Sequence, residues 1–289
     1  MKILMKKHLL LLCTTTALPL SVFASQTVTQ SEPVSDQIIE QQRAELQQNT
    51  LDKGFGPQSP RDIDNIAGNN TQLFSYAPNT TDMNLCNIHF HKNAEHKGGE
   101  FTRYAGNGDG KGNNSGYLYA GQLTKEELTP ISVPLSKELH HQLFPGDTIE
   151  VHYVYSTANV KPGPTLGSCL SDSTKNPALR VESQVFVLVN DKEALDFVEL
   201  TKDSVKGDRP QAINIPDNSG QPIQYLGSTT GPAYNQQGSP FQVTWSVRPQ
   251  VLKVSINTVA TWFKDNQYNE NHAHGVRNLV TNPLLLSAY

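Results

Sequence analysis

The side chains best suited to chemistry are concentrated in the segment 86–101. It holds His89, His91 and His96, three of the nine histidines in the chain. If 88–91 is a strand, its side chains alternate between two faces, so His89 and His91 project from the same face. Two imidazoles at this spacing can bind one metal ion, and zinc is expected because imidazole is a good ligand for it. A solvated strand face would show the same H-x-H pattern.

A catalytic zinc site usually has three protein ligands and one open position for water, so a third ligand is needed. Two histidines compete for that place. His152 lies in the strand-like run 149–155, whereas His96 follows His91 by five residues. We favour His152, because two strands give a stiffer site than one strand and its own turn.

Two polar residues stand at matching positions beside these histidines. Asn87 precedes His89 by two residues, and Glu150 precedes His152 by two. On strands each shares a face with its histidine. Each can accept the second ring N–H of a ligand histidine or of its neighbour across the ladder, which fixes the tautomer. The same alternation places the intervening side chains on the opposite face: Cys86, Ile88 and Phe90.

The elements that carry these residues are expected to be mostly strands. After residue 60 the chain consists of short apolar runs separated by Gly, Pro, Asn and Asp, which is typical of β-structure. The predicted strands beyond 88–91 are 149–155, 184–189, 242–247 and 251–256. Helices are predicted only at 38–48, 137–143 and 257–264. The sequence therefore predicts a mostly β protein with few helices.

The start of the chain resembles a secretory signal. Residues 1–24 have a positively charged start, an apolar run and a small-residue cleavage site ending at Ala24. We expect an exported protein, periplasmic or secreted. Residues 25–60 then form a polar N-terminal extension, and 61–289 form a single domain. No later stretch is apolar and long enough to span a membrane.

Charge and cysteine content narrow the possible partners. The formal net charge is −4, and it becomes more negative once the signal with its three lysines is removed. Without a basic patch, nucleic acid and anionic membranes are poor partners. Cys86 and Cys169 remain after the signal, and an even pair in an exported protein predicts a disulfide. The sequence gives no signal of oligomeric state.

The ordered motifs resemble the zinc site of carbonic anhydrases. His89-Phe90-His91, Glu95-His96 and Glu150-Val151-His152 are similar to the H-F-H strand, E-H pair and E-L-H strand of the alpha class. Their compact spacing is more similar to the delta class. Further likenesses follow in the same order: Gly227 to Pro232 with the G-S-L-T-T-P-P loop, one residue shorter, Val243 to Val247 with the V-T-W strand, and 277–283 with R-P-x-Q-P. The resemblance spans about 84–283.

This resemblance implies a fold and an activity. The fold is a large central, mainly antiparallel sheet in one domain. The activity is reversible hydration of carbon dioxide to bicarbonate and a proton by zinc-bound hydroxide, with carbon dioxide and bicarbonate as small-molecule substrates. Zinc is held by His89, His91 and His152. Three further residues are expected to contact these ligands without binding the metal: Asn87, Glu150 and His96.

The resemblance also implies roles around the metal. Glu95 accepts a hydrogen bond from a threonine hydroxyl, which then aims the reactive oxygen at the substrate. The shorter loop leaves open whether this is Thr229 or Thr230. Val243 and Trp245 are expected to line the carbon dioxide pocket. Trp245 is equally expected to be a residue of the hydrophobic core. The alpha-class proton-relaying histidine has no counterpart, because no histidine lies between His8 and His89.

Two other functions compete with the enzyme. A carbonic-anhydrase-like zinc-binding module without catalysis would typically lack a ligand histidine, and here all three are present. A zinc hydrolase of another class is not supported, because the chain has neither an H-E-x-x-H nor a G-x-S-x-G motif. We therefore favour the enzyme.

Overall fold

The computed structural model describes residues 32–58, 65–68, 74–132, 135–136, 142–229, 238–276 and 279–286. Within this part of the chain there are nine strands: β1 (Asn84–Lys92), β2 (Phe101–Asn107), β3 (Ser115–Tyr119), β4 (Thr148–Ser156), β5 (Leu179–Val189), β6 (Asp203–Lys206), β7 (Arg209–Ala212), β8 (Ile223–Ser228) and β9 (Gln242–Ser255). Five of them form the main sheet in the order β1-β4-β5-β9-β8, and β2-β3 and β6-β7 form two small sheets. Only the β5–β9 pair of the main sheet is parallel. The predicted mostly β fold on a mainly antiparallel sheet is confirmed.

Helices are few and short in the described residues. They are α1 (Asp36–Thr50), α2 (Phe197–Leu200) and α3 (Ile256–Trp262), with 3₁₀ turns at Thr80–Asp82, Leu166–Cys169 and Pro283–Leu285. The predicted helices 38–48 and 257–264 correspond to α1 and α3. Of the predicted helix 137–143, residues 137–141 lie outside the described residues, and 142–143 are not helical.

The predicted strands 242–247 and 251–256 form a single strand, β9. Arg248, Pro249 and Gln250 suggest a break, because proline cannot donate to a ladder. Ser183 pairs with Val247 but Val185 pairs with Val251, so these three residues lie at an irregularity in the β5–β9 ladder. Pro249 has no backbone N–H to donate, and the strand continues through it because the ladder is interrupted at this irregularity.

The main sheet is covered on both faces, and β4 is buried along its whole length. One face packs Ile88 and Phe90 with Trp262 of α3 in a large apolar cluster. The other face packs Val243 and Trp245 in a second apolar cluster. A central strand buried on both sides is held rigidly, because each face is fixed by close packing. This central position gives β4 a fixed frame for the side chains that it carries.

Cys86 lies on the face opposite to the one predicted for it. Leu85 pairs with Tyr155 and Asn87 pairs with Val154, so Cys86 is the extra residue of a β-bulge. It packs in the cluster of Val154, whereas the next two apolar side chains keep their predicted face: Ile88 and Phe90. The prediction was wrong for Cys86 because strict alternation does not hold across a bulge.

The predicted disulfide between Cys86 and Cys169 is present, joining positions 83 residues apart. The loop that leads to Cys169 is also tied to the sheet by hydrogen bonds, from Gly163 N to Cys86 O (3.0 Å) and from Ser156 Oγ to Cys169 O (2.7 Å). The bulge and the disulfide together fix this loop against the start of β1.

Residues 32–58 contact the rest of the protein, although the predicted boundary at residue 60 stays a prediction. Leu46 of α1 is 1% exposed, and Gln58 is 3% exposed and hydrogen-bonded to Ser239.

Within the described residues, no helix has the length and apolar character needed to cross a membrane.

We predict that removing the disulfide lowers the free energy of unfolding by about 2–4 kcal/mol, because an 83-residue separation leaves a large loop unconstrained in the unfolded chain. The variant is Cys86→Ala/Cys169→Ala, measured by urea unfolding. Reductant should destabilise the wild type by a similar amount and leave the double variant unchanged. A wild-type urea midpoint that is the same with and without reductant would contradict this prediction.

Candidate metal centre

Three histidine rings meet on the β1–β4 ladder. His89 pairs directly with His152 across the ladder, and His91 lies two residues further along β1 on the same face. One possible ligand atom from each lies within 4.8 Å of the others. The ring centroids are 5.4 Å apart for His89–His91, 5.1 Å for His89–His152 and 4.8 Å for His91–His152. The structure thus brings together the three residues predicted as metal ligands.

Carbonyl oxygens orient the two histidines of β1. His89 Nδ1 lies 2.7 Å from Asn87 Oδ1, while the Asn87 amide donates to Gly163 O at 3.0 Å. His91 Nδ1 lies 3.0 Å from Gly275 O. Because each of these oxygens only accepts, each Nδ1 carries the proton and each Nε2 keeps its lone pair for a metal. Asn87 therefore stands in the position predicted for it.

His152 is oriented differently. Among the described residues its buried Nε2 has no hydrogen-bond partner, and it lies 3.5 Å from Glu150 Oε1 and 4.0 Å from Glu95 Oε2. Two nearby carboxylates favour a proton on that nitrogen, so Nδ1 keeps the lone pair. The other side of the ring packs edge-on against Trp245, with centroids 5.0 Å apart. Three neutral imidazoles in this arrangement fit the donor set that zinc prefers.

Glu150 is completely buried and accepts three hydrogen bonds. The donors are Glu95 N at 2.6 Å, His96 Nδ1 at 2.7 Å and Ser183 Oγ at 2.5 Å. Burial alone would raise the pKa of Glu150, but His96 and His152 hold it well below its usual range. Glu150 is therefore an ionised acceptor. Its nearest ring partner is His96, and His152 lies further away.

His96 does not lie among the three converging rings. Its Nδ1 contacts Glu150, and its Nε2 lies 2.5 Å from the Tyr225 hydroxyl. With both ring nitrogens in hydrogen bonds, His96 presents no free lone pair to a metal. This geometry agrees with the preference for His152 as the third ligand.

A second group of metal-ligand atoms overlaps the first and consists of Glu95, Glu150 and His152. The Glu150 oxygens already accept three hydrogen bonds from within the protein. A metal there would have to displace those donors, whereas Nε2 of His89 and Nε2 of His91 form no hydrogen bond with the described residues. The three histidines are therefore the better site for zinc.

Burial makes the three histidines weak bases. It lowers the pKa of His89 and His91 well below the usual value, and the nearby histidines lower it further. Burial also lowers the pKa of His152, although Glu150 opposes this effect. All three are thus neutral at pH 7, the form in which imidazole binds a metal.

A small cavity adjoins the three rings. Its volume is about 30 Å³, which admits only a molecule of a few atoms. One side is polar, with the three histidines and Glu95, and Thr229 also borders it. The rest of its lining is apolar: Val154, Leu166, Val181, Val243 and Trp245. Val243 and Trp245 thus line this cavity, and their role at a carbon dioxide pocket stays a prediction. Thr230 lies outside the described residues.

A wider opening of about 390 Å³ lies over His89 and His91. Besides Asn87, His89 and His91, its lining includes residues to which the sequence did not assign a role, among them Lys111, Thr165, His272 and His274. The only available signal was a second H-x-H pattern at 272–274. His274 forms a β-bridge with His91, which brings its ring to 5.8 Å from the His91 ring. Of the other histidines outside the motifs, His140 and His141 are not in the described residues.

Ser183, Tyr225 and Gly275 also have contacts that sequence reasoning missed. Each is hydrogen-bonded to Glu150, His96 or His91 from a distant part of the chain. Nothing in the local pattern of a serine, tyrosine or glycine distinguishes these three positions. Their places follow only from the order and register of the strands.

Comparison with known proteins identifies the family. A family model described as "Delta carbonic anhydrase" matches residues 80–258. This match covers more than half of the chain, and the chain belongs to the delta carbonic anhydrase family. No curated protein matches the sequence. Among solved structures, the alpha-carbonic anhydrase from Thermovibrio ammonificans with the inhibitor sulfanilamide is 11% identical, covering 84% of this chain and 88% of that one. Its TM-score of 0.25 is too low to carry an argument.

We predict that the metal-free protein loses stability as the pH falls below about 6.5, the ordinary histidine pKa. In the unfolded chain the histidines take up protons there, whereas the buried ones stay neutral because their pKa is lowered. Each such histidine contributes up to about 1.4 kcal/mol per pH unit. Urea unfolding with a chelator at pH 7, 6 and 5 measures this loss, which should be smaller in His91→Gln. A metal-free protein that became more stable on acidification would contradict it.

Proposed function

We propose that the protein is a zinc-dependent carbonic anhydrase that interconverts carbon dioxide and water with bicarbonate and a proton. The observation that carries the proposal is the convergence of three neutral histidines, the buried His91 and His152 and the partly exposed His89, beside a cavity for a very small molecule. Membership of the delta carbonic anhydrase family supports the same activity. Carbon dioxide is small and has no hydrogen-bond donor, so it suits a cavity with one apolar wall.

The three histidines would hold the zinc ion through Nε2 of His89, Nε2 of His91 and Nδ1 of His152. Neutral ligands leave the positive charge of the ion undiminished. When bound in such a site, zinc lowers the pKa of a coordinated water to about 7 and so supplies a nucleophile at neutral pH, carbonic anhydrase being the standard case of this effect. Asn87 and the Gly275 carbonyl keep two of the rings in the correct tautomer.

Glu95 is placed to control hydrogen bonding beside the metal ligands. Its carboxylate is 2% exposed and lies 3.5 Å from His91 Nδ1, and its own backbone N–H is fixed by Glu150. We propose that it accepts a hydrogen bond from a threonine hydroxyl, that of Thr229 or Thr230. That hydroxyl then has only lone pairs left, so it must accept a hydrogen bond from the attacking oxygen and thereby orients it. Thr229 borders the cavity together with Glu95.

The apolar wall keeps the substrate position free of competing hydrogen bonds. Val181, Val243 and Trp245 are each less than 5% exposed and lie opposite the histidines. Water gains little by occupying such a wall, whereas carbon dioxide loses little by leaving solvent. We propose that carbon dioxide lies against this wall, within reach of the oxygen that attacks it.

A carbonic-anhydrase-like module that binds zinc without catalysis remains the alternative function. Such a module would typically lack a ligand histidine and would need no small apolar cavity, whereas here all three histidines lie beside one. We also propose export to the periplasm or the cell exterior. The proposal is supported by the signal-like residues 1–24 and by a disulfide, which persists in oxidising compartments.

We predict that the purified protein contains about one zinc per chain and accelerates carbon dioxide hydration by several orders of magnitude. A stopped-flow pH-indicator assay on metal-replete protein measures the rate, and elemental analysis measures the zinc. Protein treated with a chelator should lose the activity and regain it with zinc. Zinc-replete protein without activity would support the non-catalytic module instead.

We predict that His152→Ala removes most of the bound zinc, whereas His96→Ala retains more of it. The first change removes a ligand, and the second removes a hydrogen-bond partner of Glu150 and Tyr225. His272→Ala, in the wider opening, is the matched control and should keep wild-type zinc content. If His96→Ala lost more zinc than His152→Ala, the choice of third ligand would be wrong.

A further inference from the structure

Gln58 is bound to a distant residue next to the candidate site. Its side chain is 3% exposed and hydrogen-bonds to both backbone groups of Ser239, 181 positions away. Gln58 Oε1 accepts from Ser239 N at 2.7 Å, and Gln58 Nε2 donates to Ser239 O at 3.0 Å. Nε2 also donates to Gly56 O at 3.0 Å. The Gln58 amide thus forms hydrogen bonds with both the backbone N–H and the backbone C=O of Ser239, as a neighbouring β-strand would.

Ser239 extends this connection to the cavity. Its hydroxyl lies 2.5 Å from Thr229 Oγ1 and also accepts from Phe241 N at 3.2 Å. Ser239 and Thr229 are both buried, at 2% and 7% exposure, and Thr229 lines the cavity beside the histidines. A continuous chain of hydrogen bonds therefore runs from Gln58 through Ser239 to Thr229.

Close packing reinforces the contact. A Cβ added at Gly238 would lie 2.5 Å from Thr50 Cγ2, 3.0 Å from Gln58 Oε1 and 3.1 Å from Phe55 Cδ1. Three residues of the segment before the predicted domain boundary thus press against the backbone that leads into Ser239. Only a residue without a side chain fits there.

The same segment contacts the glycine-rich loop 108–114 between β2 and β3. Val34 N donates to Gly108 O at 2.9 Å, and Gln42 Nε2 donates to Gly110 O at 2.9 Å. Lys111 and Asn113 of this loop line the wider opening over His89 and His91. Residues 32–58 therefore contact residues that adjoin two separate walls of the candidate site.

We propose that Gln58 is a positioning residue for the reaction: it fixes Ser239, which in turn fixes the Thr229 hydroxyl at the cavity. Residues 32–58 are then part of the functional unit, although the sequence predicts an extension outside the domain. The consequence for turnover rests on the proposed carbonic anhydrase activity. Gln58 itself does not line the cavity, so its effect is on orientation and not on substrate or metal binding.

The test uses full-length, zinc-replete protein and three variants. Gln58→Ala removes the amide, Ser239→Ala removes the hydroxyl but keeps the backbone paired with Gln58, and Gln48→Ala is an exposed control from the same segment. We expect kcat for carbon dioxide hydration to fall about tenfold in the first two, with KM and zinc content near wild type. The double variant Gln58→Ala/Ser239→Ala should fall no further than either single variant, because both act through Thr229. Gln48→Ala should match the wild type.

Hydrogen exchange measured by mass spectrometry gives a readout that does not depend on activity. Gln58→Ala should speed exchange in the peptides that contain Thr229 and Ser239, whereas Gln48→Ala should not. Unchanged exchange there, or an unchanged kcat in an active enzyme, would overturn the proposal, as would additive losses in the double variant. If the wild type had no activity, the proposed function would fail, and the exchange data would still decide whether Gln58 fixes this part of the site.

Discussion

The candidate site depends on one buried carboxylate, Glu150. It lies at the centre of the sheet on β4 and binds the backbone of Glu95, the ring of His96 and the hydroxyl of Ser183 on β5. An ionised carboxylate without water is unfavourable unless hydrogen bonds surround it. Because Glu150 requires all of these donors, the turn after β1 is held in one position against the sheet. That turn carries Glu95, so the same interaction places a second carboxylate beside the three histidines.

The strand register supplies the other half of the geometry. His89 faces His152 only in the observed pairing of β1 with β4, and a shift of one residue would turn the β1 histidines to the opposite face. The bulge at Cys86 and its disulfide to Cys169 fix the start of β1 in this register. Through the same disulfide, the loop with Leu166 is held as part of the apolar wall. Polar ligands and an apolar wall thus meet because both lie on the same face of the sheet, where Val154 follows His152 by two residues on β4.

The sequence predicted the features that depend on local periodicity. Spacing of two placed His89 with His91 and Glu150 with His152, and the even cysteine pair together with the signal-like start predicted the disulfide. The bulge was not predictable, because strict alternation gives no sign that one residue is inserted, and so Cys86 was placed on the wrong face. The continuity of β9 through Pro249 depended on an irregularity opposite it.

Contacts between distant residues explain the rest of what was missed. Gln58 and Ser239 are 181 positions apart, and His96 and Tyr225 are 129 apart. Neither pair has a composition or spacing that marks it, since each is brought together only by the tertiary fold. A polar segment before residue 60 therefore reads as an extension, although its side chains reach the loop that borders the cavity.

In the proposed metal centre, three imidazoles share one zinc ion that keeps a fourth position open. X-ray absorption at the zinc edge on the purified protein measures this coordination. We expect three nitrogen ligands from histidine and one light atom from solvent, all at about 2.0–2.1 Å. A first shell dominated by carboxylate oxygens, as Glu95 and Glu150 would provide, would contradict it.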